Sequence, residues 1–272
     1  MPLLRRKVMM TTLYNTIGTG YNSTRQADPY ITEQLFECLA PKPSELYLDI
    51  GCGTGNYTMA LANKGLRFYG VEPSEKMLDL AKVRNQEITW LLGNAEQIPT
   101  DDDMFQGCVA TLTIHHWKSI KKAFIELQRV LKKNGKIVFF TSTPEQMANY
   151  WLNHYFPKMM EESILQMPSL ATIKSAAAKA GFVITTTEKY AIRDGLRDCF
   201  LYIGKNRPEL YFDEEVRKGI SSFSALSNVD EVKNGLAALY EDLRTGEFEN
   251  IRSKFNNDLG DYLFIIVEKK NI

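Results

Sequence analysis

The sequence predicts a doubly wound α/β fold, with a mostly parallel seven-stranded sheet and a helical insertion between its sixth and seventh strands. Three observations predict it. Short apolar runs alternate with short helical stretches from Leu46 to Thr141, the pattern of βαβ units with right-handed crossovers. The first run, Leu46-Tyr-Leu-Asp-Ile50, feeds straight into a turn with glycines at 51, 53 and 55. The last strand comes about 70 residues after the sixth, a gap too long for a structureless loop in a compact domain.

Each element follows in order. Residues 11–30 are rich in Gly, Asn and Thr, which suits a loop, and residues 1–28 are expected to form an N-terminal flap over a ligand. A helix is expected from Pro29 to Leu39, where Ile31, Leu35, Phe36 and Leu39 recur at helical spacing. Pro41 and Pro43 stop it. Strand 46–50 leads through the glycine turn to a helix over 56–64, ended by Gly65. Strand 67–72 leads through Pro73 to a helix over 74–84, with Ser74 as N-cap and Glu75 in the first turn. Ile88–Leu92 and Cys108–Ile114 read as the third and fourth strands. A helix over 118–132 puts Ile120, Phe124, Leu127, Val130 and Leu131 on one face, and Asn134-Gly135 ends it before a fifth strand, Lys136–Thr141.

After Thr141 the pattern changes. Residues 145–167 read as helical and carry Met147, Tyr150, Trp151, Tyr155, Phe156, Met159, Met160 and Met167. Such a stripe serves core packing first and a binding surface second. A helix over 169–180 ends at Gly181, and Phe182–Tyr190 is the sixth strand. Helical stretches at Leu196–Gly204, Asp213–Phe223, Val229–Thr245 and Phe248–Asn256 then form an insertion packed over one edge of the sheet, ahead of the last strand, Tyr262–Glu268. A single domain over 1–272 is expected: flap 1–28, core 29–193 and 259–272, insertion or lid 194–258.

Composition narrows the function. Lys plus Arg and Asp plus Glu number 33 each, so the formal net charge is zero, and the pI is near 6.8. That balance argues against a general nucleic-acid binder. Cys38, Cys52, Cys108 and Cys199 are far apart, and the histidines number three, so zinc-site spacing is absent and reduced packing thiols of a cytosolic protein are expected. The basic Arg5-Arg6-Lys7 has no apolar run after it, and no 18-residue apolar span occurs. A soluble cytoplasmic protein without a membrane span is expected.

Asp49, Glu72, Asn94 and Thr111 each fall at or just after the end of an expected strand, so all four line one edge of the sheet. A nucleoside-containing ligand suits them. The glycine turn offers backbone amides, Glu72 takes both ribose hydroxyls, and Asn94 reads an exocyclic amine. A dinucleotide site wants Gly-x-Gly-x-x-Gly/Ala, whereas Asn56 holds the third position here. An acid at 49 sits poorly beside a pyrophosphate and well beside the amino group of a methionine tail. Charge complementarity thus favours S-adenosylmethionine over NAD. Arg25 is available for a carboxylate.

Leu48-Asp-Ile-Gly-Cys-Gly-Thr-Gly55 resembles motif I of the class I S-adenosylmethionine-dependent methyltransferases. Val71-Glu-Pro-Ser-Glu-Lys-Met-Leu78 resembles the acidic segment after their second strand. Gly93-Asn-Ala-Glu-Gln-Ile-Pro99 resembles their "D-A-E-x-L-P" segment, with Asn94 in place of the commoner Asp. Thr111-Leu-Thr-Ile-His-His-Trp117 and Val130-Leu-Lys-Lys-Asn-Gly-Lys-Ile137 resemble segments of the type-11 group, from which Gln106 departs where an Asp is usual. The resemblance covers residues 44–141. It implies a Rossmann-like sheet whose last strand is antiparallel. It also implies that Gly51 and Gly53 contact the methionine tail, Glu72 the ribose with Pro73 nearby, and Asn94 and Ala95 the adenine. Thr111 offers its carbonyl to the amino group, and Tyr14, Tyr21 and Arg25 close over the carboxylate.

Methyl transfer is an in-line displacement at an already activated sulfonium, so alignment and desolvation supply much of the catalysis. A base is needed only for a protonated nucleophile, and His115 and His116 are the candidates. The Asn/Asp-Pro-Pro-Tyr/Phe motif of amino-methylating DNA enzymes, the Pro-Cys of cytosine C5 enzymes and the acidic cluster of metal-dependent catechol-type enzymes are missing. A small-molecule acceptor with an apolar or aromatic part is therefore expected, with no DNA partner and no metal. The alternatives are a methyltransferase for a protein or RNA side chain, and a non-catalytic S-adenosylmethionine-binding regulatory protein. Arg193, Arg197 and Asp198 are expected in surface ion pairs rather than as ligand anchors.

Overall fold

The computed structural model describes residues 24–270. Its centre is a seven-stranded sheet: β1 Leu46–Ile50, β2 Arg67–Glu72, β3 Thr89–Leu92, β4 Phe105–Thr111, β5 Leu131–Thr141, β6 Phe182–Tyr190 and β7 Tyr262–Lys269. The order is β3-β2-β1-β4-β5-β7-β6. β1 to β5 pair in parallel, while β7 runs antiparallel to both β5 and β6. The strand order reverses at β1: the chain winds outward to β2 and β3, then returns to place β4 on β1's other side. Open α/β sheets bind ligands at such a switch point, beyond the carboxyl ends of the strands.

Side chains alternate across the sheet. Val138 and Phe140 of β5 join Tyr47, Val109, Phe264 and Ile266 on one face. Ile137 and Phe139 join Leu48, Cys108, Ile265 and Val267 on the other. Helix α1, Pro29–Leu39, covers the first face, with Ile31 and Leu35 fully buried and Asp28 capping its start. The helices Ile120–Val130 and Leu170–Lys179 bring Phe124, Leu127 and Ile173 to the second face. Caps fix the helix entries at the sheet edge: Ser74 accepts from Met77 N, and Ser119 from Lys122 N.

The segment from Thr141 to β7 is held by aromatic side chains. Residues 144–166 form three short helices, Pro144–Ala148, Leu152–Tyr155 and Pro157–Gln166. Tyr150 stacks on Tyr202 at 3.8 Å between centroids, and Trp151 makes edge contacts with Tyr155, Tyr211 and Phe248. Between β6 and β7 lie the helices Glu214–Lys218, Ser221–Ala225, Val229–Thr245 and Glu247–Ser253.

Four boundaries differ from expectation. The helix expected over Asp213–Phe223 is broken at Gly219 and Ile220 into Glu214–Lys218 and Ser221–Ala225. Leu196–Gly204 is a run of turns rather than a helix, because its side chains are claimed by distant partners. Phe200 and Tyr202 pack on Tyr262, and Asp198 pairs with Arg25. β4 starts at Phe105 and stops at Thr111, where Leu112 takes a positive φ and Ile114 opens a 3₁₀ turn. β5 begins at Leu131, with an irregular register where Phe105 faces Leu131 and Gly107 faces Lys136. The Asn134-Gly135 pair therefore falls within the strand rather than at the end of the preceding helix.

Candidate active site

A cavity of about 240 Å³ opens at the switch point. The carboxyl ends of β1, β2 and β4, the loop after β3 and the segments flanking β5 all contribute to its wall. Arg25, Asp49, Gly51, Gly53, Glu72, Pro73, Asn94, Ala95, Thr111, His115 and His116, all singled out from the sequence, line this one cavity. Tyr14 and Tyr21 lie outside the described residues.

The glycine turn is shaped by two close approaches. A Cβ on Gly51 would sit 2.0 Å from Thr113 Oγ1, and the residue's φ is +72°. At Gly53, φ +55°, the nearest atom to an added Cβ is Met77 Sδ at 3.7 Å, so this position faces open cavity. The expectation that the turn offers its amides to a ligand is corrected. Gly51 N and Cys52 N donate to Val71 O at 2.8 and 3.2 Å, Gly53 N donates to Glu72 Oε2 at 3.0 Å, and Gly55 N donates to Cys52 O at 2.9 Å. Neighbouring strands and a side chain have claimed these donors, as buried amides require. What the turn gives a ligand is proximity of backbone.

Two carboxylates form the polar floor. Asp49, 2 % exposed, accepts from Thr58 Oγ1 at 2.6 Å. Burial pushes its pKa up to about 7, against the lowering effect of that hydrogen bond. Glu72, 6 % exposed, accepts from Gly53 N and from Ser74 N, each at 3.0 Å. Burial likewise raises it to about 7, with the charge of Asp49 adding to the shift and the two backbone donors opposing it. In the loop after β3, the Asn94 and Gln97 backbones bridge each other, and Asn94 Oδ1 accepts from Glu96 N at 3.0 Å. The Asn94 amide group therefore keeps its donors for the cavity.

His115 and His116 sit on the 3₁₀ turn after β4, with ring centroids 3.9 Å apart. The cavity is also lined by the apolar side chains Met147, Met167, Phe200, Leu201, Ile220 and Leu226, with Ser163, Gln166, Ser221 and Ser222 among them. The aromatic and methionine stripe thus divides. Met147 and Met167 line the cavity, Met147 as a core residue at its edge, whereas Tyr150, Trp151, Tyr155, Phe156, Met159 and Met160 lie in the core away from it.

Arg25 and Asp198 depart from expectation. Asp198 is 1 % exposed, not on the surface. Arg25 Nε and Nη2 donate to its two oxygens at 2.5 and 3.3 Å, and Tyr57 OH donates to Oδ2 at 3.1 Å. Arg25 therefore already grips a carboxylate of the chain itself. Nearby, Cys199 N donates to Thr24 O at 3.0 Å and Arg197 N to Asp28 Oδ2 at 3.1 Å, fastening residues 24–28 to the start of the β6–β7 connection. Sequence reasoning left Ser163, Gln166, Ser222 and Tyr262 unmentioned as site residues, although all four line the cavity. No local motif marks them, because their position depends on long-range packing. Among the described residues no cluster of three or more His, Cys, Asp or Glu is arranged to hold a metal ion, and no helix is long and apolar enough to cross a membrane.

Comparison with known proteins completes the picture. Residues 48–139 match the family described as "Methyltransferase domain". Over 135 residues the chain is 29% identical to an uncharacterized methyltransferase of Mycobacterium tuberculosis, covering 50% of this chain and 55% of that protein. It is 28% identical over 148 residues to a malonyl-[acyl-carrier protein] O-methyltransferase of Serratia marcescens, covering 53% and 58%. The chain thus spans little more than half the length of these curated relatives. A solved structure from Anabaena variabilis, assigned as a methyltransferase of an antibiotic biosynthesis pathway, matches at 34% identity and a TM-score of 0.80, covering 91% of this chain and 99% of that one. With the strand order and the motif residues gathered at one switch point, these likenesses place the chain among the class I S-adenosylmethionine-dependent methyltransferases.

Proposed function

We propose that this chain transfers the methyl group of S-adenosylmethionine, in line, to a small-molecule acceptor with an apolar part. The observation that carries this reading is one cavity that joins Asp49, Glu72 and the glycine turn at the sheet edge to Met147, Met167, Phe200, Ile220 and Leu226 from the segments after β5. The sheet edge fits the cofactor. Gly53 leaves open space where a side chain would intrude, and the buried carboxylates of Asp49 and Glu72 are held by a hydroxyl and by backbone N–H donors rather than by a cation among the described residues. Asp49 suits an ammonium, Glu72 the ribose hydroxyls, and Asn94 and Ala95 the adenine. Thr111 offers its carbonyl, while Gly51 and Pro73 shape the walls.

The cofactor, when bound, supplies an activated methyl group. The chain's own part is to orient the two ligands, exclude water with the apolar wall, and hold a proton acceptor at the junction. His115 and His116 are the groups at that junction. The name of the Serratia relative refers to a carrier-protein-bound acceptor; the apolar side chains in the cavity here support an acceptor with an apolar part.

Calorimetry with S-adenosylmethionine and S-adenosylhomocysteine tests the first layer, and no binding at millimolar ligand would sink it. Glu72→Ala is expected to weaken binding by about ten- to a hundredfold, through loss of hydrogen bonds to a buried charged group. A metabolite screen with mass detection of a methylated product then tests turnover. If one histidine is the base, its replacement by Ala lowers kcat by about a hundredfold or more; full turnover in both single variants removes the base from the mechanism.

A further inference from the structure

The acceptor half of the cavity has a polar character of its own. On the helix Pro157–Gln166, Ser163 and Gln166 are one turn apart and face the cavity together. Ser163 Oγ lies 2.8 Å from Met159 O and 2.9 Å from Ser222 Oγ, a buried hydroxyl pair bridging two helices. Gln166 is partly buried and lines the cavity, and its side-chain amide makes no hydrogen bond within the described residues. Tyr262, also on the wall, is kept firmly neutral because burial raises its phenol well above the ordinary value.

Charge is scarce on this side. Asp198 is the charged side chain that residues 141–262 contribute to the lining, and it is committed to Arg25 and Tyr57. The cations among the described lining residues are Arg25, ion-paired with Asp198, and Lys118. Lys118 is exposed and precedes Ser119, whose N–H is bonded to Glu96 Oε1 at 2.7 Å, which places it beside the loop after β3. Among the lining residues that 141–262 contribute, an anionic acceptor would find no lysine or arginine to offset its desolvation. A neutral head group would meet an amide that both donates and accepts, and hydroxyls that do the same.

Resting on the methyltransferase reading above, we infer that the acceptor is an uncharged, largely apolar molecule whose neutral polar end is read by Gln166, the specificity-determining residue of the apolar half. The wall Met147, Met167, Ile220 and Leu226 takes the apolar body. Gln166 is a positioning and selecting group, and it does not take part in the displacement itself.

The test uses an isosteric pair of probes, octanamide and octanoate, titrated calorimetrically at pH 8 into the full chain saturated with S-adenosylhomocysteine. Octanamide is expected to bind at least about tenfold more tightly than octanoate. Gln166→Leu should weaken octanamide by about tenfold and leave S-adenosylhomocysteine affinity unchanged. Gln166→Lys should invert the ranking, so that octanoate binds better. Equal or tighter binding of octanoate to the unaltered chain overturns the inference. So does a Gln166→Leu variant with the original preference, and so does failure of both probes while S-adenosylhomocysteine still binds. Failure of S-adenosylhomocysteine itself to bind identifies the methyltransferase reading as the error, and the inference falls with it.

Discussion

Along the sheet edge, Asp49, Gly53, Glu72 and Asn94 are set by backbone: strand ends, a turn, and amides bonded across neighbouring strands. Across the same cavity, Met147, Gln166, Phe200 and Ile220 are set by side chains packed between segments far apart in sequence. The first half depends on which backbone dihedrals and hydrogen bonds a short segment can adopt. The second depends on an aromatic mesh whose members come from residues 150 to 262. A fold can therefore keep one cofactor floor and vary the opposite wall, because the two are stabilised by different interactions.

The largest expected effect tests the mesh. Trp151 is 1 % exposed, donates from Nε1 to Lys205 O at 3.2 Å, and touches Tyr155, Tyr211 and Phe248. Trp151→Ala should cost about 3–5 kcal/mol in chemical denaturation, the range for a large buried aromatic. It should also erode octanamide binding more than S-adenosylhomocysteine binding at temperatures where the chain is folded. Equal loss of both would mean that the two halves are one mechanical unit.

Next in size is a pair of glycine variants. Gly51→Ala meets Thr113 at a positive φ and should destabilise the fold by about 2–4 kcal/mol. Gly53→Ala has room on the protein side, so its stability cost should stay near about 1 kcal/mol. Its cofactor affinity should fall by about a hundredfold, because the methyl group occupies ligand space. Denaturation and calorimetry on both variants decide the matter; a Gly53→Ala chain with unchanged affinity would mean that the cofactor does not lie there.

The last comparison concerns pH dependence. Asp49 and Glu72 have folded pKa values raised to about 7, above their values in an unfolded chain. Between those values the folded state holds more protons than the unfolded state, so stability falls as pH rises through that window. The ligand-free chain should lose melting temperature from pH 5 to pH 8 on account of these two groups. Glu72→Gln should flatten the slope, and saturating S-adenosylmethionine should flatten it further. A slope unchanged in Glu72→Gln would show that the carboxylate is not buried as described.

How much of this was legible in the sequence follows the same division. The strand pattern gave all seven strands, and the glycine turn, Glu72, Asn94 and the histidine pair could be assigned to one edge because each sits next to a strand end in sequence. The turn amides were misjudged because a sequence shows a donor but not that Val71 and Glu72 have already taken it. Leu196–Gly204 carries helical periodicity, yet Asp198 is drawn to an arginine 173 residues away, and that pairing has no local signature. Nothing in the sequence singles out Gln166; its helix meets Ser221–Ala225 through Ser163 and Ser222, a contact between segments about 60 residues apart.

The hydrogen bonds already made by the amides of the glycine turn also bear on ligand thermodynamics. A loop that waits for its ligand to satisfy its amides must be ordered at the moment of binding, with an entropic cost. Here the turn from Gly51 to Gly55 is closed onto β2 and onto itself in advance. On the proposed reading the cofactor meets a preorganised floor, and the heat of binding should reflect contacts formed rather than chain immobilised.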